Sequence, residues 1–258
     1  MFSFSYNGID FSHKKGIASE PMDDFGKHLH PFNEILIFLN GDVTYNVESR
    51  SRKLEEGDLV IIKQGLYHFA DISKSETYER YVFKFPVSVL PPFVEDKLET
   101  QSPFLTNVKK YLVLLNQFDS YYGNYSDEET YYLFISELTK LLIMMLKEPT
   151  RADSNSDDVI TRLIEYIDEN ALDAVTAALD TLSREFNYSK SYISNEFKNN
   201  MKIPVMQYVR YKKIIAAHQM ILAGAKKSVV AELLDFNDYS TFYRSYVKII
   251  GHAPTDRN

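Results

Sequence analysis

The sequence feature that most constrains the fold is a pattern that occurs twice in the C-terminal part of the chain. Each copy has a short helical segment, a polar turn and a second helical segment, first in residues 177–198 and again in residues 228–248. In the second segment of the first copy, Ile193 and Phe197 stand four positions apart, and the second copy repeats that spacing. Residues four apart share one face of an α-helix, so each copy predicts a second helix with one buried face.

This arrangement is typical of the helix-turn-helix, in which the outer face of the second helix enters the major groove of DNA. Arg244 and Asn195 are the predicted base readers, because Arg can pair with guanine and Asn with adenine. Lys190, Lys198 and Lys248 are the predicted phosphate contacts. The outward positions are Ser191, Ser194, Asn195 and Lys198 in the first copy, and Tyr239, Ser240, Thr241, Tyr243 and Arg244 in the second.

A long helix is predicted between the two copies. Pro204 suits the first turn of a helix and Gly224 suits its C-terminal end, so the helix covers residues 205–223. At about 1.5 Å per residue its length is roughly 28 Å. We call the second helix of each copy its reading helix. The length of the long helix can hold the two reading helices near the roughly 34 Å that separates successive major grooves on one face of DNA.

The distribution of charge supports a nucleic-acid partner for the C-terminal part only. The net charge is −7, which by itself disfavours binding to phosphates. From Arg184 onward, however, the chain carries 12 basic and 6 acidic side chains. An acidic N-terminal part and a basic C-terminal part indicate a divided protein with its polyanion-binding end at the C-terminus.

Composition restricts the remaining function classes. The chain has no cysteine, which excludes disulfides and thiolate chemistry and suits a reducing compartment. Residues 1–9 lack the pattern of a signal peptide, and no apolar run approaches the ~20 residues of a membrane span. We therefore expect a cytoplasmic protein with no membrane partner.

In the N-terminal part, apolar residues recur first at the spacing of strands and then at the spacing of helices. Short apolar runs at 34–39, 43–47, 58–62 and 78–85 are separated by glycine-containing turns, which predicts a small barrel or sandwich. After Pro92 the apolar residues recur at the spacing of amphipathic helices. The predicted domains are a β-barrel at 1–92, a helical pair at 93–147 that forms a dimer, a polar linker at 148–158 and an all-α domain at 159–258.

The C-terminal part resembles the paired helix-turn-helix domain of the AraC/XylS regulators. The first copy matches through Phe-x-x-Ser-x-x-Tyr-Ile-Ser-x-x-Phe-Lys at 186–198, and the second through residues 236–246 and Gly-His-Ala-Pro at 251–254. The chain departs from the usual residues at Ser183 (Ala), Lys213 (Arg) and Asp235 (Gly), and residues 201–204 lack the usual Gly. The resemblance implies that the outward residues of both reading helices contact DNA.

The N-terminal part is similar to the cupin fold, whose two sequence motifs it approximates. His28, His30 and Glu34 with Gly41 resemble the first motif, and residues 57–68, ending in His68, resemble the second. In metal-binding cupins these positions hold one ion, and imidazole with carboxylate suits zinc, iron, manganese or nickel. AraC-type sensor domains use the barrel for an organic effector, so we expect an effector pocket and no metal or other cofactor.

The predicted effector-binding residues combine the histidine positions with tyrosines of the barrel. Tyrosine can stack on a sugar and donate a hydrogen bond, which favours a carbohydrate-like ligand slightly. The set is His28, His30, Glu34, His68, Tyr45 and Tyr81.

Two functions from different classes remain at this point. The first is an α+β transcription regulator, not an enzyme, that binds double-stranded DNA as a homodimer under the control of a small-molecule effector. Such a protein contacts RNA polymerase if it is an activator. The second is a metal-dependent cupin enzyme with a helical appendage. The duplicated unit with polar outer faces favours the regulator, since an appendage has no need of it.

Overall fold

The computed structural model describes residues 2–17, 29–72, 77–106, 109–121, 123–147, 159–170, 178–236 and 238–255. The chain forms two compact units. Residues 1–28 and 32–153 belong to the first, and residues 29–31 and 154–258 belong to the second. Within the described residues no helix is both long enough and apolar enough to span a bilayer.

The first unit is built on two antiparallel sheets. The larger has the strand order β1-β2-β8-β3-β6-β9 and the smaller the order β5-β4-β7. The strands are β1 (Phe2–Tyr6), β2 (Ile9–Ile17), β3 (Asn33–Asn40), β4 (Val43–Val47), β5 (Arg50–Lys53), β6 (Leu59–Ile62), β7 (His68–Ile72), β8 (Thr77–Phe85) and β9 (Phe104–Leu105).

The pleat of the larger sheet separates two apolar clusters. In the pairing of β3 with β8, Leu36 lies opposite Val82, and the next position pairs Ile35 with Phe83. Successive side chains of a strand point to opposite faces. Leu36 and Val82 therefore belong to the inner cluster, which also contains residues of β4 in the smaller sheet. Ile35 and Phe83 belong to the helix-facing cluster.

Within the described residues, three helices cover the face of the larger sheet that carries the helix-facing cluster. They are α1 (Pro92–Thr100), α2 (Leu112–Tyr121) and α3 (Asp127–Met145). Ser126 and Glu129 form a reciprocal capping box at the start of α3. Phe134 of α3 packs edge-on against Phe4 of β1, with 5.0 Å between ring centroids. The sheet and these helices thus share one core.

The second unit is helical. Its elements are α4 (Val159–Asn170), α5 (Leu179–Glu185), α6 (Lys190–Met201), α7 (Val205–Leu222), α8 (Lys227–Leu233) and α9 (Tyr239–Ile250). The long helix α7 supplies Ile214, Ala217 and Ile221 to a core that also contains Phe242 and Tyr246 of α9. Aliphatic and aromatic side chains at helical spacing on α7 and α9 therefore bury one face of each helix.

The α+β class predicted from the sequence is confirmed, with antiparallel sheets in the N-terminal part and helices in the C-terminal part. The apolar runs predicted as strands are β3, β4, β6 and β8. Strand β5 and helix α1 were not predicted, because Arg50–Lys53 is entirely polar and α1 is short and weakly amphipathic. The predicted linker, residues 148–158, lies outside the described residues.

Candidate functional site

The turns of both C-terminal copies are closed in the same way. The N–H of Tyr188 donates to the carbonyl five residues earlier at 3.2 Å, and that of Phe236 does so at 3.1 Å. Each bond spans a residue in the left-handed region, Asn187 and Asp235, both with a φ of 55°. This is the bonding of a Schellman motif, which ends a helix sharply and satisfies its last carbonyls. The repeat seen in the sequence is therefore also a repeat of backbone geometry.

Side chains at the departures from the AraC/XylS pattern take part in this geometry. Ser183 Oγ donates to the carbonyl of Tyr188 at 2.6 Å, across the first turn. Lys213 Nζ donates to the carbonyl of Leu234 at 3.0 Å, at the second turn. Lys202, in the segment 201–204 that lacks the usual glycine, ends α6 with a φ of 59°. A side chain in the left-handed region costs roughly 1–2 kcal/mol, so the departures at Lys202 and at the second turn carry strain.

Both reading helices begin with a side-chain cap. Ser189 Oγ accepts from the backbone N–H of Tyr192 at 3.1 Å, and Asp238 Oδ1 accepts from that of Thr241 at 2.8 Å. That hydrogen bond to Thr241 holds the pKa of the Asp238 carboxyl below its usual value. N-caps of this kind satisfy one of the unpaired N–H groups of the first turn. The caps fix where the outer face of each helix begins.

Most of the predicted DNA-contacting side chains lie at the surface. Ser194 and Thr241 are half-buried. Lys190 forms an ion pair with Asp180 of α5, the support helix that precedes the first turn. The exposed members of the set are Lys190, Ser191, Asn195 and Lys198 on α6 and Tyr239, Ser240, Tyr243, Arg244 and Lys248 on α9.

The structure holds Arg244 along the surface of α9. Its Nε donates to the carbonyl of Ser240 at 3.3 Å, and its Nη2 donates to Thr241 Oγ1 at 3.4 Å. Thr241 Oγ1 in turn donates to Asp238 Oδ2 at 2.8 Å. These contacts join the predicted base reader to the cap of its own helix, so the first turn of α9 is one connected polar surface.

An exposed pair of tyrosines at the first copy was not predicted to contact DNA. Tyr188 and Tyr192 stack with 4.6 Å between ring centroids and 28° between planes. They are 38% and 42% exposed. The sequence could have indicated Tyr192, because it aligns with Thr241, a predicted DNA-contacting residue, when the buried pairs of the two copies are superimposed. An exposed aromatic surface at this place can contact thymine methyl groups or sugars.

The buried residues that hold the reading helices differ between the copies. Phe197 of α6 packs on Tyr208 with 5.3 Å between ring centroids. Tyr246 of α9 makes a hydrogen bond of 2.6 Å through its Oη to Nδ1 of His218. Burial raises the pKa of Tyr246 to about 12. Burial, and then the nearby His252, lower the pKa of His218.

In the first unit, charged and polar side chains lie on the inner-cluster side of the larger sheet. Glu34 is 5% exposed, His68 1% and Arg80 2%. Arg80 Cζ lies 4.2 Å from the ring centroid of Tyr78, and Lys84 Nζ lies 3.7 Å from Glu34 Oε2. Ligand pockets place a few polar groups among apolar walls in this way, so this group of residues is a candidate recognition site.

The two predicted effector tyrosines lie on different faces. Tyr45 belongs to the inner cluster and its ring is parallel to that of His68 within 14°, with 6.3 Å between centroids. Burial and then the charge of Glu34 raise its pKa. Tyr81 instead belongs to the helix-facing cluster, where it stacks on Phe11 at 5.9 Å. Side chains alternate along β8, so Tyr78 and Arg80, which the predicted effector-binding set did not include, lie on the inner side, and Tyr81 lies on the other.

Three of the four predicted metal-ligand positions come together. The ligand atoms of His30, Glu34 and His68 lie within 4.8 Å of one another, and all three side chains are buried. His68 Nδ1 donates to the carbonyl of Leu66 at 3.0 Å, which leaves Nε2 as the acceptor nitrogen of the neutral ring. His28 lies outside the described residues. The donor set is chemically suited to a first-row divalent ion.

Two family models match this chain. Residues 15–143 match the AraC-like ligand binding domain, and residues 182–257 match a helix-turn-helix domain. Among curated proteins, the chain is similar to the transcriptional regulator YkgA of Escherichia coli, with 24% identity over 43% of this chain and 46% of YkgA. It is also similar to the regulator YtdP of Bacillus subtilis, with 28% identity over 42% of this chain and 14% of YtdP. The chain spans less than half the length of these relatives.

The chain is also similar to solved structures, at low sequence identity. The crystal structure of ToxT from Vibrio cholerae with an unsaturated fatty acid bound has 13% identity and a TM-score of 0.41, over 89% of this chain and 87% of ToxT. The AraC-like transcriptional activator CuxR has 16% identity and a TM-score of 0.42, over 91% of this chain and 84% of CuxR.

The two units together define a class of protein that joins a sensor domain of antiparallel sheets to a paired helix-turn-helix domain. The AraC-like ligand binding domain alone covers half of the chain. The chain belongs to the AraC type of transcription regulators.

Proposed function

We propose that this protein binds DNA sequence-specifically and places α6 and α9 in successive major grooves. The observation that carries the proposal is the duplicated unit, in which both reading helices are capped, are anchored by buried residues four apart and keep a polar outer face. The excess of basic side chains from Arg184 onward complements the phosphate backbone. A regulator of this type acts in the cytoplasm, and RNA polymerase is its partner if it activates.

Selection of bound DNA from a random duplex pool tests this proposal. We expect enrichment of a site with two half-motifs about one helical turn apart. A double variant, Asn195→Ala with Arg244→Ala, serves as the control, since both side chains are exposed and their loss leaves the core intact. If the wild-type chain enriches no sequence at low salt, the proposal is wrong.

We propose further that a small polar effector binds beside the inner cluster, in contact with Glu34, Tyr45, His68 and Arg80. The support is the contrast between the two faces of one sheet. The helix-facing cluster is built from apolar and aromatic residues, whereas the inner side carries ionisable groups at 1–5% exposure. Ligand pockets combine apolar walls with a few placed polar groups in this way. His28 and His30 stay predictions, and Tyr78 replaces Tyr81.

A thermal-stability screen tests the effector proposal. The panel contains neutral sugars, as the tyrosines suggest, and sugar acids or small carboxylates, as Arg80 suggests. A ligand at 100 times its Kd stabilises the folded state by about 2.7 kcal/mol. We expect Tyr45→Phe to weaken that stabilisation, while Tyr81→Phe on the opposite face leaves it unchanged. Equal losses from the two variants would contradict the assignment to the inner side.

Dimer formation through the helical pair is also proposed. On α3, Tyr132 is 61% exposed and Met144 is 38% exposed, and both are large apolar side chains. Exposed apolar surface of this kind is common at protein interfaces. Sedimentation at micromolar concentration is the test. A monomer in the presence and absence of DNA would contradict it.

The grouping of His30, Glu34 and His68 keeps the second function, a metal-dependent enzyme, open to a direct test. Metal analysis of protein purified without an affinity tag decides it. Less than about a tenth of an equivalent of any first-row metal would contradict this function, which requires a bound ion.

A further inference from the structure

A cleft of about 190 Å³ lies in the second copy, between α7 and the turn that precedes α9. Most of the residues that line it have no role in the functions predicted above. Met206, Arg210 and Lys213 line it from α7, Asp235 and Phe236 line it from the turn, and Thr241 lines it from the first turn of α9. Thr241 is one of the predicted DNA-contacting residues, so the cleft adjoins the reading surface.

The three charged residues of the cleft have different roles. Lys213 is half-buried, and its Nζ donates to the carbonyl of Leu234, which ties α7 to the turn. Arg210 is exposed, three residues before it on the same side of α7. Asp235 is also exposed, at the opposite rim. The cleft therefore has a net positive charge, with Arg210 as the cation directed to solvent.

The walls of the cleft are apolar. Met206 is 42% exposed, Val209 is 3% exposed and Phe236 is half-buried. An apolar wall beside a guanidinium fits a ligand that has a compact apolar part next to an anion. A deoxyribose and its phosphate have this chemistry, and guanidinium binds phosphate well.

We propose that this cleft binds the DNA backbone between the two major grooves, with Arg210 in contact with one phosphate and Met206 and Phe236 against the adjoining sugar. The inference rests on the proposed function. Helix α7 joins the two reading helices. If α6 and α9 occupy successive grooves, the backbone between the grooves runs past α7. Charge complementarity selects phosphate, and Thr241 makes the cleft continuous with the surface of α9.

The test measures Kd against salt concentration for the selected site and for a random duplex. The variants are Arg210→Gln, Arg210→Lys and, as the matched control, Arg162→Gln, which removes another exposed arginine of the same unit, on α4. We expect Arg210→Gln to weaken binding to both duplexes by the same factor, about tenfold, and to reduce the salt slope by about one. Arg210→Lys retains most of the affinity, because a point charge still binds phosphate.

Several results would overturn the proposal. One is an unchanged salt slope in Arg210→Gln, and another is an equal loss in Arg162→Gln, which would indicate a general effect of charge. A loss confined to one base pair of the selected site would make Arg210 a base reader. A further result would assign the cleft to a free anion. In that case millimolar inorganic phosphate stabilises the wild-type chain but not Arg210→Gln, and the two chains have the same salt slope for DNA binding. Failure of the wild-type chain to bind any duplex would instead remove the proposed function itself.

Discussion

The two helix-turn-helix copies share their backbone and differ in their side chains. Both support helices, α5 and α8, have 7 residues, and both reading helices, α6 and α9, have 12. Both turns pass through a left-handed residue at the same φ. The shared part is what the motif needs to place a helix in a groove. The part that differs is the chemistry each helix presents and the way each helix is anchored.

The differences are concentrated at three places. The outer face of α6 carries Ser194 and Asn195 where that of α9 carries Tyr243 and Arg244. The anchor of α6 is wholly apolar, whereas that of α9 includes a hydrogen bond to His218. The end of α6 is a strained lysine, and the end of α9 is a glycine. One backbone framework thus presents two different surfaces, and each difference can be tested in turn.

The largest expected effect concerns the apolar anchors. Phe197 and Phe242 are both 0% exposed. Replacement of either with alanine leaves a cavity and lowers the free energy of unfolding by about 3–5 kcal/mol. Chemical denaturation of the full chain is the measurement. If the two copies are equivalent frameworks, Phe197→Ala and Phe242→Ala lower the same transition by similar amounts. A loss below about 1 kcal/mol in one variant only would show that the copies are not equivalent.

The next effect separates the two reading surfaces. Arg244→Ala and Asn195→Ala each lose about 1–3 kcal/mol of binding free energy and each relax specificity at one base. The relaxed bases lie in different half-motifs, since the residues are on different reading helices. Gel-shift titrations against single-base variants of the selected site measure this. If both variants relax the same half-motif, or neither relaxes any base, the comparison of the two faces fails.

A smaller effect tests the ends of the reading helices. Lys202 has a φ of 59° and Gly251 a φ of 89°. Lys202→Gly removes the strain of a side chain in the left-handed region and stabilises the fold by roughly 1 kcal/mol. Gly251→Ala introduces that strain and destabilises by a similar amount. Thermal unfolding monitors both. Destabilisation by Lys202→Gly would mean that its side-chain bond to the carbonyl of Asn199 outweighs the backbone strain.

The smallest effect is a dependence on pH that belongs to the second copy. Burial lowers the pKa of His218 in the folded protein. The unfolded chain therefore takes up a proton first as the pH falls. The stability that His218 contributes is present above its unfolded pKa of about 6.5 and is lost as the pH falls toward its lower folded pKa.

Denaturation between about pH 7.5 and about pH 5 checks this dependence. His218→Gln has a flatter profile than the wild-type chain in that range. His252→Gln, at an exposed position, keeps most of the wild-type slope. Identical slopes in the wild-type chain and His218→Gln would exclude His218 as the source.

The candidate sites show which parts of the structure could be predicted and which could not. Helical phase was sufficient to find Ile193 and Phe197 as buried residues, because a period of 3.6 residues is a local property. Tyr81 and Arg80 are neighbours on one strand, and the choice of which faces the inner cluster depends on the pairing with β3 and on the helices that cover the other face. A strand buried on both sides has no alternation of polar and apolar residues to reveal this choice.

The amino-acid sequence by itself determined the duplicated motif, the long helix between the copies and the division into an acidic and a basic part. These follow from local spacing, from Pro and Gly at the ends of the long helix, and from composition. Only the tertiary structure decided that Arg80 and Tyr78 join Glu34 on the inner side of the sheet, and that Arg210 lines a cleft with Thr241. These properties depend on contacts between residues that are distant in the chain, and such contacts form only when the sheets and helices pack.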